Sequence, residues 1–370
     1  MPADPAPPST GSAGRAPGPP PVPRGAGAGA AVRRAVDAVW DPTPASMRRI
    51  ALAGVISSAG IILTGAAVRL SKSGLGCPDW PQCTRGSLVA AHTRGDPMFH
   101  TWIEFGNRLV TVAVTVVAVA VLIAAWRFRP GGRGAPGARR RMDLVWLAAV
   151  QPAGIVAQIV LGGIVVLTNL NPAAVSLHFI VSIAVVAAAV ALQVKCTEGI
   201  APARSLVRTD LRVLCYGVVA LVAVMMAAGT VVTGTGPLAG AGDVPRYHLP
   251  LAGATQFHAD IGWLLAGLTV ALVVGLHATR APARVMWQGW LLLGLLGAQG
   301  VIGYTQYFTG LPAGLVWVHV AGSLLIWIAA LRLMFATRDR GPLIPPPPES
   351  PDGPAASALP RAQPALPGTG

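Results

Sequence analysis

Long apolar runs separated by short polar or charged segments dominate the chain between residues 47 and 338. A helix that crosses the hydrocarbon core of a bilayer needs roughly 20 mostly apolar residues. Eight stretches meet that requirement, centred near Ile61, Thr115, Ala157, Val185, Val222, Leu268, Leu295 and Leu325. The pattern predicts an all-α integral membrane protein with eight transmembrane helices. The flanks differ in kind. Residues 1–46 are rich in Pro, Gly and Ala and lack an apolar run, which predicts a disordered cytoplasmic tail rather than a cleaved signal peptide. Residues 339–370, with the run PLIPPPPESPDGP, predict a second disordered cytoplasmic tail.

The eight runs fall into two related sets. AQIVLGGIVVLTNLNPAAVSLH in the third span region matches AQGVIGYTQYFTGLPAGLVWVH in the seventh, so that Gln158 pairs with Gln299, Gly162 with Gly303 and His178 with His319. Weaker echoes pair Thr64-Gly65 with Thr233-Gly234, and the start of span two with the start of span six. These matches predict a tandem duplication of a four-helix bundle, with halves at 47–195 and 211–338 joined by a cytoplasmic linker at 196–210.

Composition agrees with a bilayer, at 53% apolar and only 11% charged residues. The net charge of +14 raises a nucleic-acid partner. The basic residues gather in short segments between apolar runs, however, as topology signals do, and exclude that reading. The segment Arg127–Arg141 carries six arginines, Lys195–Arg212 carries four basic residues, and Arg280 and Arg284 mark a third basic loop. By the positive-inside rule these loops and both termini are cytoplasmic, in a multi-pass protein of the plasma membrane. The opposite loops hold Asp79, Trp80, Asp96 and Asp243, with Arg69, Lys72, Arg85, Arg94 and Arg246 blurring the contrast.

His178, His258 and His319 each lie five to seven residues inside an even-numbered span, which at 1.5 Å per residue is roughly 8 to 10 Å deep. Polar side chains at that depth are costly and belong in the bundle interior. Each alone is explained equally well by a hydrogen bond to a neighbouring helix. Three at one depth on repeat-related helices favour a shared task, and His258 with His319 suit the two axial positions of one haem iron. Zinc is the rival metal, but no third nitrogen or thiolate lies at a matching depth. Asp260, Gln256 and Gln299 are candidates to support the histidines, or simply to bond between helices.

Span two opens HTWIEFGNRLV, which places His100, Glu104 and either Asn107 or Arg108 on roughly one face. Glu104 and Arg108 form either an interfacial ion pair or a group that positions a porphyrin propionate or stabilises charge during oxidation. Cys77 and Cys83 lie six residues apart in a loop assigned to the oxidising side, which permits a disulfide of structural or redox role. No CxxCH haem-attachment motif is present. Cys196 and Cys215 fall on the cytoplasmic side as ordinary thiols.

VRLSKSGLGCPDWPQC, the downstream IEFGNRL, and the three histidines in a duplicated eight-span frame closely resemble the haem A synthase family over about residues 47–338. The loop GLGCPDWPxC followed by the Glu motif is far more specific than any lone histidine. The resemblance implies oxidation of the ring D methyl of haem O to the formyl group of haem A, by two hydroxylations and loss of water from a geminal diol, for use by terminal cytochrome oxidases. It implies a haem b cofactor ligated by His258 and His319 in the C-terminal half. It places the substrate in the N-terminal half, with His178 on the substrate iron, Glu104 and Arg108 as catalytic groups, and a Cys77–Cys83 disulfide linked to activity.

Many family members carry histidine where this sequence has Asn107, a poor iron ligand. The resemblance then implies a substrate held by His178 alone with an open or solvent-ligated position, or by His178 with His100. The Glu-x-x-Asn-Arg form is similar to an actinobacterial branch of the family. Implied partners are haem O, the haem O synthase (protohaem farnesyltransferase) that makes it, and the lipid bilayer. The electron acceptor and any homo-oligomer stay open. The alternative is a membrane b-type cytochrome or haem carrier that oxidises no methyl group; a transporter is disfavoured because nothing suggests broken helices around a midplane site.

Overall fold

A computed structural model describes residues 41–84, 86–89, 98–132 and 139–344. The expected tails lie outside these residues over 1–40 and 345–370. The chain divides into two units, Met1–Asp41 and Pro42–Gly370, and the second contains every helix described below.

Eight helices form where the apolar runs predicted them: α1 Pro44–Leu70, α2 Met98–Arg127, α3 Met142–Leu167, α4 Pro172–Lys195, α5 Thr209–Thr235, α6 Leu251–Ala278, α7 Ala283–Phe308 and α8 Ala313–Ala336. Each is long and apolar enough to cross a membrane, which makes this a multi-pass membrane protein. In hydrocarbon only a helix or a closed barrel satisfies every backbone polar group, so runs of this composition have little alternative to the helix. Local chemistry sets the starts. The Thr43 hydroxyl accepts the Ser46 N–H at 3.2 Å ahead of Pro44, and Asn171 Oδ1 accepts the Ala173 N–H at 3.0 Å ahead of Pro172. The first helix therefore begins three residues before the expected boundary at 47.

Each half is a closed ring of four helices, α1–α2–α3–α4 and α5–α6–α7–α8, in which every helix packs against its two neighbours. The rings meet along α1, α4, α5 and α8. That seam is apolar, built from residues such as Val186, Val190, Val218, Val222 and Leu324. Two indole N–H groups tie across it: Trp327 donates to the Ile183 carbonyl at 2.9 Å and Trp317 to that of Leu63 at 3.0 Å. The outer surface is apolar as lipid requires, with Ile56, Val116, Val156 and Val274 exposed. Tryptophans 126, 146, 287 and 290 sit toward the arginine-rich end, where an aromatic belt is expected.

That basic end is stitched together. Two short strands, β1 Arg204–Ser205 and β2 Arg338–Asp339, pair antiparallel, and Arg338 bonds Glu198 at 3.1 Å. Arg141 donates to the Glu198 carbonyl at 2.9 Å while pairing with Asp143. The segment expected as a tail from 339 onward thus starts with an ordered stretch held to the linker.

Candidate functional site

At the opposite end, the loop after α1 is bound down on the first two turns of α2. Cys77 and Cys83 are both fully buried and joined by a disulfide. Glu104, itself buried, accepts the Cys77 N–H on Oε2 at 2.7 Å and pairs with Arg108 through Oε1 at 3.0 Å. Arg108 also donates to the loop carbonyls of Gln82 at 2.9 Å and Cys77 at 3.2 Å. Glycine at 76 has a steric reason, since a Cβ there would run into the His100 carbonyl. The loop carries Trp80 over α3, where a Cβ at Gly163 would lie 2.6 Å from the indole.

Beneath this loop a single cavity of about 1490 Å³ runs through both rings, lined by Trp80, Glu104, Asn107, Arg108 and His178 from the first half and by His258 and His319 from the second. Ligand pockets are commonly about 300–1,000 Å³, so this one has room for more than one ligand of that size.

The duplication noticed in the sequence becomes geometry at the histidines. The Gln158 amide donates to the His178 carbonyl at 2.9 Å, and the Gln299 amide donates to the His319 carbonyl at 2.7 Å. A Cβ at Gly162 would lie 3.6 Å from the His178 ring, and one at Gly303 would lie 3.3 Å from the His319 ring. A third glycine, Gly229 of α5, seats His258 in the same way at 3.3 Å. Glutamine fixes the helix that carries the ring and glycine makes room for the ring. Gly229 was the part not singled out from sequence; its signal was its position four residues before Thr233, in register with Gly60 before Thr64.

His258 and His319 lie with ring centres 6.3 Å apart. Two metal–nitrogen bonds of about 2 Å, plus roughly 1 Å from each nitrogen to its ring centre, give about 6 Å for two imidazoles on opposite sides of one metal atom. Among the described residues no group of three or more His, Cys, Asp or Glu side chains is placed to hold a metal ion. Two imidazoles without further protein donors fit an iron whose other four ligands come from a tetrapyrrole. The Nδ1 atoms of His178, His258 and His319 are all buried without a hydrogen-bond partner among the described residues.

The first half differs in the place where the second has its ring pair. Asn107 Oδ1 accepts the Thr64 hydroxyl at 2.7 Å. A Cβ at Gly60, the counterpart of Gly229, meets nothing within 4 Å, so no ring fills the corresponding space. His100 does not line the cavity; its Nδ1 is hydrogen-bonded with the Ser73 hydroxyl at 2.8 Å. Gln256 lines the cavity and donates to Asp260 at 2.7 Å on the exposed side of α6, so Asp260 is engaged with Gln256. The structure therefore brings together Glu104, Arg108, Asn107, His178, His258 and His319 around one cavity and leaves His100 and Asp260 outside its lining.

Comparison with known proteins shows the family to which the sequence is similar. Residues 48–331 match the family model COX15-CtaA, described as cytochrome oxidase assembly protein. Proteins named heme A synthase from Bacillus mycoides and Bacillus cereus are 23% and 24% identical over 292 and 294 residues, covering 75% and 76% of this chain and 89% and 90% of theirs. A heme A synthase from Geobacillus thermodenitrificans is 30% identical over 118 residues, a match that spans only 32% of each chain.

Proposed function

The chain belongs to the COX15-CtaA family of cytochrome oxidase assembly proteins, and from that premise we propose that it is a haem A synthase, oxidising the ring D methyl of haem O to a formyl group. The observation that carries the proposal is the asymmetry between two repeat-related halves sharing one cavity. The second half has two imidazoles at the spacing a haem iron takes. The first half lines the cavity with one histidine, a carboxamide in place of a second, and a buried carboxylate paired with a guanidinium. A resident haem b between His258 and His319 would supply one-electron redox chemistry.

The remaining roles belong to the first half. His178 would hold haem O by its iron, and Asn107, whose Oδ1 accepts the Thr64 hydroxyl, offers no second imidazole from this half. Glu104 faces the same cavity as a fixed anion, held by the Cys77 amide and Arg108, and stabilises positive charge as electrons leave the substrate. Trp80 and the disulfide loop cover this end of the first half. The arginine-rich end, with the β1–β2 pair, faces the cytoplasm, and the disulfide loop faces the oxidising side. Haem O arrives from a haem O synthase within the bilayer.

Expression in a host that makes haem O but lacks its own haem A synthase, followed by extraction and chromatography of membrane haems, tests the proposal. Haem A is expected. Haem O persisting beside an intact b-type spectrum would select a haem carrier or b-type cytochrome instead.

A further inference from the structure

Arg69 sits in the last turn of α1, partly buried, and lines the cavity at its disulfide-loop end. Its Nε is buried and has no hydrogen-bond partner among the described residues. Its stem packs by Gly240 of the α5–α6 loop, where a Cβ would lie 3.4 Å from Arg69 Cγ. Among the described residues, the other arginines at this end are committed. Arg108 is spent on Glu104 and the carbonyls of the disulfide loop, and Arg246 on the carbonyls of Gly236 and Gly242. A guanidinium whose Nε is buried without an acceptor is costly, and in a membrane protein such a group marks a ligand pathway by default.

The guanidinium offers planar paired donors, which match a carboxylate. The anionic groups of a tetrapyrrole are its propionates. Resting on the reading of this cavity as the haem O site, we infer that Arg69 binds a propionate carboxylate of the substrate, with the propionate edge toward the disulfide loop. Ring D carries both a propionate and the methyl to be oxidised. An anchor on that edge restricts which methyl is presented, making Arg69 a positioning residue for the reaction.

The test is a titration of purified protein carrying its resident haem, with haem O and with haem O dimethyl ester as probes, followed by difference absorbance. His178→Ala identifies the signal of the first-half site. Wild type should bind the free acid roughly 10- to 100-fold more tightly than the ester, the range for one charge-assisted contact. Arg69→Gln should abolish that preference by weakening the acid alone, and Arg69→Lys should restore part of it. Equal weakening of acid and ester by Arg69→Gln, or no weakening of the acid, would overturn the anchor while leaving the proposed function standing. Wild type that binds neither probe at the His178 site would overturn both.

Discussion

Replacing Glu104 by alanine is expected to release the Cys77–Cys83 loop from α2. The carboxylate makes two contacts there, to the Cys77 amide at 2.7 Å and to Arg108 at 3.0 Å, and its side chain is 9% exposed against 27% for Arg108. Hydrogen bonds to a charged group contribute about 1.5–3 kcal/mol each. The Arg108 contact is discounted for partial exposure, and the guanidinium keeps its bonds to the Gln82 and Cys77 carbonyls. A net loss of about 2–4 kcal/mol in loop docking follows. Reduction of a fully buried disulfide requires the loop to open, so the rate of its reduction by added thiol should rise roughly 30- to 1,000-fold. The assay is alkylation of the freed thiols, read by mass, against time. Glu104→Gln keeps an acceptor for the Cys77 amide and should recover most of the protection, yet remain unable to convert haem O because the fixed negative charge is gone. A wild-type reduction rate in Glu104→Ala would refute the docking argument, and full conversion by Glu104→Gln would refute the need for charge.

Asn107→His should turn bound haem O from a single-histidine, high-spin species into a six-coordinate low-spin one, visible in the absorbance spectrum; an unchanged spin state would show that position 107 does not face the iron. Gly303→Leu should expel the His319 ring, since even a Cβ lies 3.3 Å from it, and remove the b-type spectrum while His178-dependent haem O binding survives. Burial pushes the Cys196 thiol up to about 11. The neutral thiol therefore dominates below that value, and at pH 8 only about one part in a thousand is thiolate. Iodoacetamide should label Cys196 negligibly at pH 8 in the folded protein and increasingly as pH rises toward 11, whereas rapid labelling at pH 8 would contradict its burial.

Much of this architecture is legible in the residues because lipid leaves few options. All eight expected span centres, from Ile61 to Leu325, lie inside the helices observed. The repeat was legible too: Gln158 with His178 and Gln299 with His319 stand 20 residues apart in sequence and make the same amide-to-carbonyl bond in space. What pattern could not supply is the destination of groups whose partners are distant in the chain. Arg108 lies four residues after Glu104, which suggests an ion pair, but its bonds to loop carbonyls some thirty residues earlier depend on how the loop folds back. His100 shares a helical face with Glu104, yet its ring is taken by Ser73 of the loop that folds back on α2 and is absent from the cavity lining. The pairing of Arg204–Ser205 with Arg338–Asp339 was hidden because two-residue strands carry no periodicity. The continuity of the cavity across both rings likewise emerges only when α1, α4, α5 and α8 are packed together.

The central claim is a division of labour, with a resident haem held by His258 and His319 and a substrate haem held by His178. Electron paramagnetic resonance of the purified ferric protein, taken for wild type, His178→Ala and His319→Ala, tests it most directly. The account predicts a low-spin bis-imidazole signal in wild type that persists in His178→Ala and disappears in His319→Ala. Loss of that signal in both variants, or its survival in His319→Ala, would contradict the account.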